Sequence, residues 1–450
     1  MTPDADERPE AVGRGGAVTR WLSEASTPVF MTWAIVASFA TYFCMYAFRK
    51  PFAVGTYEGA VALPLVGAVD TKIVFIIAQI LGYAVSKFLG IKIVSEMLPA
   101  RRATAIVIAI GVAELALVGF GLVPAPYNAV CLFFNGLPLG MVWGLVFGFL
   151  EGRRSSDSLG AALCVSFIVA SGFVKTIGKL VMGWGVSERW MPAATGALFL
   201  VPMAGFVWML AQLPPPNAED VAERLERKPM DGPARWAFFS SMAPGLVALV
   251  IAYVLLTAYR DFRDNFAREI WDALGYADQP EILTTAELPV AVGSLAAVAM
   301  CMAIKNSRTA VLAIHGAMLL GAALIGVTTL GYQAGVVSPA VWMVAVGLGL
   351  YVGYVPYNCV LFDRLIPAVG HVGTAGFLIY VADASGYAGS VGLLLYKNFG
   401  QKTLSWLDFF VSFSHLTAWA TVVLFFGSAI YFARRAPPRP SRFKPSSTPP

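Results

Sequence analysis

Long apolar runs are the feature of this 450-residue chain that most restricts its fold. About twelve runs of roughly 20 apolar residues follow one another, and each is long enough to cross the hydrocarbon core of a bilayer. Backbone polar groups in lipid must be paired within their own segment, and the runs are too long and too poorly alternating for barrel strands. Charged residues make up only 13% of the sequence, about half the share of an average soluble domain. The sequence therefore predicts an all-α integral membrane protein, which excludes soluble enzymes and nucleic-acid-binding proteins.

Breaks between the apolar runs place the spans to within a few residues. The predicted spans cover residues 30–55, 73–94, 103–122, 127–150, 159–186, 191–213, 237–260, 284–304, 309–330, 337–361, 371–396 and 407–433. If both termini are cytoplasmic, nineteen of the 32 lysines and arginines fall in the tails and inside connections, as the positive-inside rule requires. The longest inside connection divides the spans six and six. This predicts five regions: a cytoplasmic tail (1–29), a first half (30–213), a cytoplasmic linker (214–236), a second half (237–433) and a cytoplasmic tail (434–450).

The two predicted halves match each other at three places. Residues 47–49 of span one recur as 258–260 of span seven, and residues 136–137 of span four recur as 347–348, both at an offset of 211 residues. Residues 170–172 of span five recur as 384–386 at an offset of 214. Two duplicated six-span halves in the same orientation resemble the major facilitator superfamily. By that resemblance the halves face each other across a central path, and small residues in the spans allow close helix approach.

Ionisable residues inside the spans are mostly basic, although each costs at least about 2.5–3.5 kcal/mol there and needs a partner or water. Lys175 and Lys179 are four residues apart on one helix face, where like charges repel unless an anion or an acid lies between them. The alternative is that the basic side chains lie at the membrane interface as anchors. The candidate ligands of an anion are Arg49, Lys50, Lys87, Lys175, Lys179 and Arg260, and the few intramembrane carboxylates are chiefly Glu114 and Asp383.

Two short motifs refine the resemblance. Residues 46–52, YAFRKPF, and 82–88, GYAVSKF, are similar to elements of the first two spans of the organophosphate:phosphate antiporters. This resemblance implies that Arg49 and Lys87 line a phosphate site and that Arg260 is the matching arginine of the second half. Span five lacks the histidine of those carriers. The stretch 260–266 is also unlike theirs, and its carboxylates could neutralise Arg260. The whole chain resembles an uncharacterised bacterial branch of the superfamily, which implies a multi-pass protein of the bacterial inner membrane.

These observations predict a secondary active transporter that moves a small organic anion by alternating access, with a phosphate ester or phosphate as the specific candidate. Glu114 and Asp383 are either proton carriers or partners of the buried bases. The alternative function is a transporter-like receptor that senses an extracellular anion without turnover. The sequence contains no ATP-binding loop, metal-ligand spacing or catalytic triad spacing, so we expect no enzyme activity, cofactor or metal. We expect a monomer in the lipid bilayer that binds an anionic small molecule and no nucleic acid.

Overall fold

Helices make up almost all of the structure. The computed structural model describes residues 16–63, 67–95, 97–150, 153, 156–216, 232–369, 375–401 and 403–435. The helices are α1 (Ala17–Glu24), α2 (Thr27–Met45), α3 (Thr71–Ser95), α4 (Pro99–Leu122), α5 (Ala129–Phe147), α6 (Ser156–Gly183), α7 (Met191–Ala211), α8 (Gly232–Ser241), α9 (Ala243–Asn265), α10 (Ala267–Ala273), α11 (Ile282–Thr285), α12 (Glu287–Met302), α13 (Ser307–Gln333), α14 (Pro339–Cys359), α15 (Leu361–Ala368), α16 (Ala375–Gly400) and α17 (Trp406–Arg435).

The long helices account for the predicted spans. Eleven segments of the described chain are long and apolar enough to cross a membrane, with α11 and α12 together forming one of them. The 26-residue helix α16 adds a twelfth long helix, which carries Asp383 and Lys397. The predicted linker and both predicted tails lie largely outside the described residues, which omit 1–15, 217–231 and 436–450.

The segment after Arg260 differs from the prediction. Span seven was expected to end at Arg260 and to be followed by an outside connection, but α9 continues to Asn265 and α10 follows it directly. Tyr259, Phe262 and Phe266 lie on one face of this extension and are almost completely buried. The charged residues between them find partners inside the protein, and this allows the helix to continue where the sequence looks polar.

Short non-helical elements connect α2 to α3. Two 3-10 turns, Tyr46–Phe48 and Pro51–Val54, follow α2 and are buried. The strands β1 (Ala60–Leu63) and β2 (Gly67–Asp70) then form an antiparallel hairpin in which Val61 lies opposite Val69. The hairpin reaches the second half, because Asn398 at the end of α16 accepts a hydrogen bond from Asp70 N at 3.0 Å.

Glycine residues allow several helices to come close together, as we predicted from the small residues in the spans. A Cβ atom on Gly136 of α5 would lie 2.3 Å from the carbonyl oxygen of Gln79 in α3, which only glycine avoids. The same holds across the two halves, where a Cβ on Gly172 of α6 would lie 2.0 Å from the carbonyl oxygen of Leu283 in α11. The halves therefore contact each other backbone to backbone at this point.

The bundle has two distinguishable ends. At one end, Thr19 Oγ1 donates to Gln212 Oε1 at 3.2 Å, and Arg435 of α17 donates to the carbonyl of Ser241. We call this the terminal end, because both limits of the described chain lie there. The opposite end, which we call the distal end, holds the 3-10 turns, the hairpin and the segment 266–286.

Candidate functional site

Arg49 is held in a break of the first span, between the two 3-10 turns. Two backbone carbonyls freed by the break accept hydrogen bonds from amide side chains, since Asn135 Nδ2 donates to Phe48 O at 2.8 Å and Gln79 Nε2 donates to Arg49 O at 2.9 Å. Gln79 Nε2 also donates to Asn135 Oδ1 at 2.8 Å, so the two amides support each other. Irregular backbone at membrane depth requires such internal partners. The break is therefore built into the fold, and it fixes the position of Arg49.

The Arg49 side chain is a buried cation with aromatic rather than acidic neighbours. Only 8% of the residue is exposed, and its guanidinium carbon lies 3.9 Å from the ring centre of Tyr83 and 5.9 Å from that of Tyr46. Its Nε has no hydrogen-bond partner, and no carboxylate of the described residues forms an ion pair with it. A desolvated cation–π contact is worth about 2 kcal/mol, less than the several kcal/mol that it costs to bury a charge. Within the described residues, the Arg49 guanidinium therefore lacks the anionic partner that a buried cation requires.

Arg260 lies on the facing helix α9 of the second half and is already paired. Its Nη2 and Nε lie 2.7 and 3.0 Å from Asp261 Oδ1, and its Nη1 donates to the hydroxyl of Tyr354. Ser390 Oγ donates to the other Asp261 oxygen at 2.8 Å. Tyr387 of α16 packs against Tyr83, with ring centres 5.5 Å apart, and the Arg49 guanidinium lies over the same Tyr83 ring. The two arginines that match in the repeat therefore border one region between the halves.

Lys87 and Asp383 form an ion pair across the halves beside this region. Lys87 Nζ lies 3.6 Å from Asp383 Oδ2 and 5.6 Å from the ring centre of Tyr83. Tyr253 donates to Asp383, and its hydroxyl lies 3.0 Å from that of Tyr354. A continuous polar chain thus runs from Lys87 to Arg260. We call Arg49, Lys87, Arg260, Asp261 and Asp383 the central cluster; three cations and two carboxylates leave it one net positive charge.

Lys50, Lys175 and Lys179 lie nearer the distal end and bind carboxylates of the second half. Lys50 and Lys175 both form ion pairs with Asp264, and Ser171 also donates to that carboxylate. Lys179 lies 3.2 Å from Asp272 Oδ1. The Lys175 and Lys179 pair therefore meets acids, one each, which is one of the two possibilities that their spacing allowed.

Further ion pairs at the distal end escaped the sequence reasoning. Lys72 pairs with Glu269, and Arg268 Nη1 lies 3.6 Å from Glu188 Oε1. The sequence predicts that carboxylates of the stretch after Arg260 could neutralise this arginine, and Asp261 does pair with it. It does not predict the lysine pairs of Asp264, Glu269 and Asp272, although the spacing of Tyr259, Phe262 and Phe266 indicates a continuing helix. We call the following residues the distal ion-pair cluster: Lys50, Lys72, Lys175, Lys179, Asp264, Glu269 and Asp272.

Glu114 stands apart from both clusters. It lies in α4, where its Oε2 has no hydrogen-bond partner and a Cβ on Gly196 of α7 would lie 2.1 Å from that atom. Glu114 makes no ion pair with any basic residue in the described part of the chain. No group of three or more His, Cys, Asp or Glu residues there is arranged to hold a metal ion.

Solved structures with the same architecture define the class of fold. The chain is similar to a D-xylose-proton symporter with a TM-score of 0.60 and 13% identity, over 91% of this chain and 98% of the other. It is also similar to a POT family transporter in complex with a thioalcohol-conjugated peptide, and to one in complex with 5-aminolevulinic acid, both with a TM-score of 0.56. Their identities are 11% and 12%, over 90% of this chain and 96% of the other in each case. The predicted all-α membrane architecture is confirmed, and it is the major facilitator fold.

Sequence comparison identifies the family of the chain. Residues 51–435 match the family of unknown function DUF5690, and the chain belongs to that family. No curated protein matches the sequence significantly.

Proposed function

We propose that this protein is a secondary active transporter that moves a small organic anion across the membrane by alternating access, and that it is not an enzyme. The observation that carries the proposal is Arg49, a buried cation between the halves that has no carboxylate partner among the described residues. The solved structures of similar fold are transporters by their names, and this supports turnover over sensing alone. A phosphate ester or phosphate is the specific candidate for the anion.

The central cluster suits an anion of low charge. One net positive charge remains after Arg260 pairs with Asp261 and Lys87 with Asp383, so a single negative charge on the ligand neutralises the site. Guanidinium groups can bind a carboxylate or phosphoryl group through two parallel N–H bonds. An anion that touches Arg49 from one half and Arg260 from the other would favour the state in which the halves are close, because a ligand stabilises the state that binds it best.

The proposal extends to location and partners. We place the protein in a bacterial inner membrane with the terminal end in the cytoplasm, as the distribution of basic residues favours. The distal end, with its ion pairs, then faces outward. The partners are the lipid bilayer and the anionic substrate, and the protein acts as a monomer.

Thermal unfolding of the purified protein tests the binding step. The ligands are inorganic phosphate, phosphate esters, dicarboxylates and neutral sugars, applied to the parent and to Arg49→Gln and Arg260→Gln variants. A ligand at 100 times its dissociation constant stabilises the native state by about 2.7 kcal/mol. We expect one anion class to stabilise the parent and neither variant. Arg20→Gln is the matched control, because Arg20 lies exposed on α1, away from both clusters.

Counterflow into proteoliposomes tests turnover with the same anion. Uptake of labelled anion that depends on unlabelled anion inside, and that is lost in Arg49→Gln, is the expected result. Binding without counterflow would favour the receptor. Stabilisation by neutral sugars only, or equal responses of parent and variants, would refute the anion site.

A further inference from the structure

A crevice lies between α3 of the first half and α16 of the second. Its volume is about 410 Å³, within the range of about 300–1,000 Å³ typical of ligand pockets. Most of its wall is apolar, while Lys87, Asp383 and Tyr387 also line it. The apolar side chains of the wall include Ile80, Leu81, Ala84 and Phe88 of α3 and Ala388 and Val391 of α16.

The faces of α3 show where the crevice opens. Leu81 and Phe88 are 47% and 62% exposed, and large apolar side chains exposed on a membrane helix face lipid. Tyr83, by contrast, is buried and lies beneath the guanidinium group of Arg49. The side of α3 that lines the crevice therefore lies between the lipid-facing side of this helix and the side that faces Arg49. The crevice connects the bilayer with the central cluster.

The lysine of the ion pair in the crevice is more accessible than the lysine of the Lys72–Glu269 pair at the distal end. The Lys87 and Asp383 side chains are 21% and 13% exposed, whereas the Lys72 side chain, in its pair with Glu269, is 2% exposed. Lys87 Nζ and Asp383 Oδ2 lie 3.6 Å apart, which is longer than a charge-assisted hydrogen bond, and both side chains line the crevice. A negatively charged group at Lys87 would lie near Tyr83, whose ring also contacts Arg49 and Tyr387.

We propose that the anion is an amphiphile with a single alkyl chain, which enters from the bilayer through this crevice. Its charged head contacts Lys87 and Arg49, and its chain lies along Ala84, Ala388 and Val391. The inference rests on the proposed anion transport and specifies its substrate class. Charge complementarity supports this occupant, because Lys87 and Asp383 join the crevice to the central cluster, whose one net positive charge a wholly apolar ligand would leave without a partner.

A series of n-alkyl phosphates tests the proposal. Titration calorimetry with the protein in nanodiscs, corrected by empty nanodiscs, gives the affinity for methyl, ethyl, propyl and butyl phosphate. Each methylene that enters the crevice is expected to raise the affinity about fourfold, so that butyl phosphate binds roughly 60-fold more tightly than methyl phosphate. No dependence on chain length in the parent would overturn the proposal.

Variants that fill the crevice provide the second arm. Ala84→Phe and Ala388→Phe, on opposite walls, are each expected to lower the ratio of butyl to methyl affinity to nearly one. Val201→Phe is the matched control, because Val201 is 82% exposed on α7, away from the crevice, and it should keep the ratio of the parent. If both filled variants keep the parent's ratio of butyl to methyl phosphate affinity, the proposal is overturned. Two variants are used so that one can be measured if the other does not fold.

The outcomes separate this inference from the proposed function. If short-chain phosphates bind in an Arg49-dependent manner without any chain-length effect, the crevice proposal fails and anion binding stands. If binding increases with chain length but does not depend on Arg49, both the head-group contact and the anion site fail.

Discussion

Asp264 is the residue whose replacement should shift the conformational equilibrium most. Its carboxylate comes from α9 of the second half and serves two lysines of the first half, Lys50 and Lys175. Both lysines are nearly inaccessible, at 5% and 2% exposure. Replacement by asparagine keeps the shape of the side chain and removes its charge, which leaves two like charges buried together.

The size of the effect follows from what remains around the lysines. Removal of one partner from a buried pair costs about 3–5 kcal/mol. Neutral acceptors persist here, because Asn265 Oδ1 lies 3.1 Å from Lys50 Nζ and the Asp264 carbonyl accepts from Lys175. We therefore expect Asp264→Asn to destabilise the closed state by about 3 kcal/mol, the lower limit. This shifts the equilibrium by a factor of about 150 toward a state with the distal end open, because the lysines reach water there.

Spin-label distances measure this shift directly. Labels at Tyr127→Cys and Val336→Cys would report on the distal end, since both residues are highly exposed in distal loops of different halves. Cys131 and Cys359 are replaced first, because they are the partly accessible native thiols of the described chain. Asp264→Asn is expected to add a population at longer distance.

A rescue variant makes the electrostatic reasoning testable. Asp264→Asn combined with Lys175→Met restores the original net charge of the triad, so it should return most molecules to the short distance. Identical distance distributions in the parent and Asp264→Asn would refute the idea that this carboxylate holds the distal end closed. A double variant more open than the single one would refute the charge argument.

Two further predictions concern stability. Glu287→Gln should lower the free energy of unfolding by about 3–5 kcal/mol, because it leaves the buried Arg263 without the carboxylate that lies 2.7 Å away. Thermal unfolding in detergent measures this loss. The further substitution Arg263→Met should recover stability, because it removes the unpaired charge. Burial raises the pKa of Glu188, but hydrogen bonds from Thr56 and Tyr57 outweigh it and hold that pKa below its ordinary value. The Glu188 carboxylate therefore stabilises the protein fully at a pH above its ordinary pKa, and this stabilisation is lost as the pH falls through the lowered pKa of the folded state. Acid should reduce the melting temperature of the parent more steeply than that of Glu188→Gln. Parallel curves of melting temperature against pH would contradict this.

The fold could be predicted from the sequence because the bilayer imposes a strong pattern. Each helix must be long and apolar, and the offset of 211 residues between Arg49 and Arg260 reveals the duplication without any structure. The basic residues of the site were visible for the same reason, as charges interrupting apolar runs. The lysine partners Asp264 and Asp272 were not, because they lie in a segment whose charge content matches that of a surface loop, whereas Asp383, which pairs with Lys87, also interrupts an apolar run.

The repeat itself could not predict which residues pair. Lys50 lies at the position equivalent to Asp261 at the offset of 211, so the two halves carry opposite charges there. Lys175 corresponds to Gly389 at the offset of 214. Duplication fixes where helices lie, whereas pairing depends on side chains that diverged after duplication, and only their positions in space identify the partners.

The distal ion-pair cluster divides charge between the halves in a way that bears on anion movement. All four of its lysines belong to the first half and all three of its carboxylates to the second. While the halves touch, these charges largely cancel. Once the halves separate, the cluster leaves four positive charges on the first half and three negative charges on the second, and Glu188 and Arg268 offset one of each, so the first half stays positive and the second negative. Fields in such clefts concentrate counter-ions. An anion that enters by the distal end would therefore meet the first half before the second, and it would reach Arg49, on that same half, before Arg260.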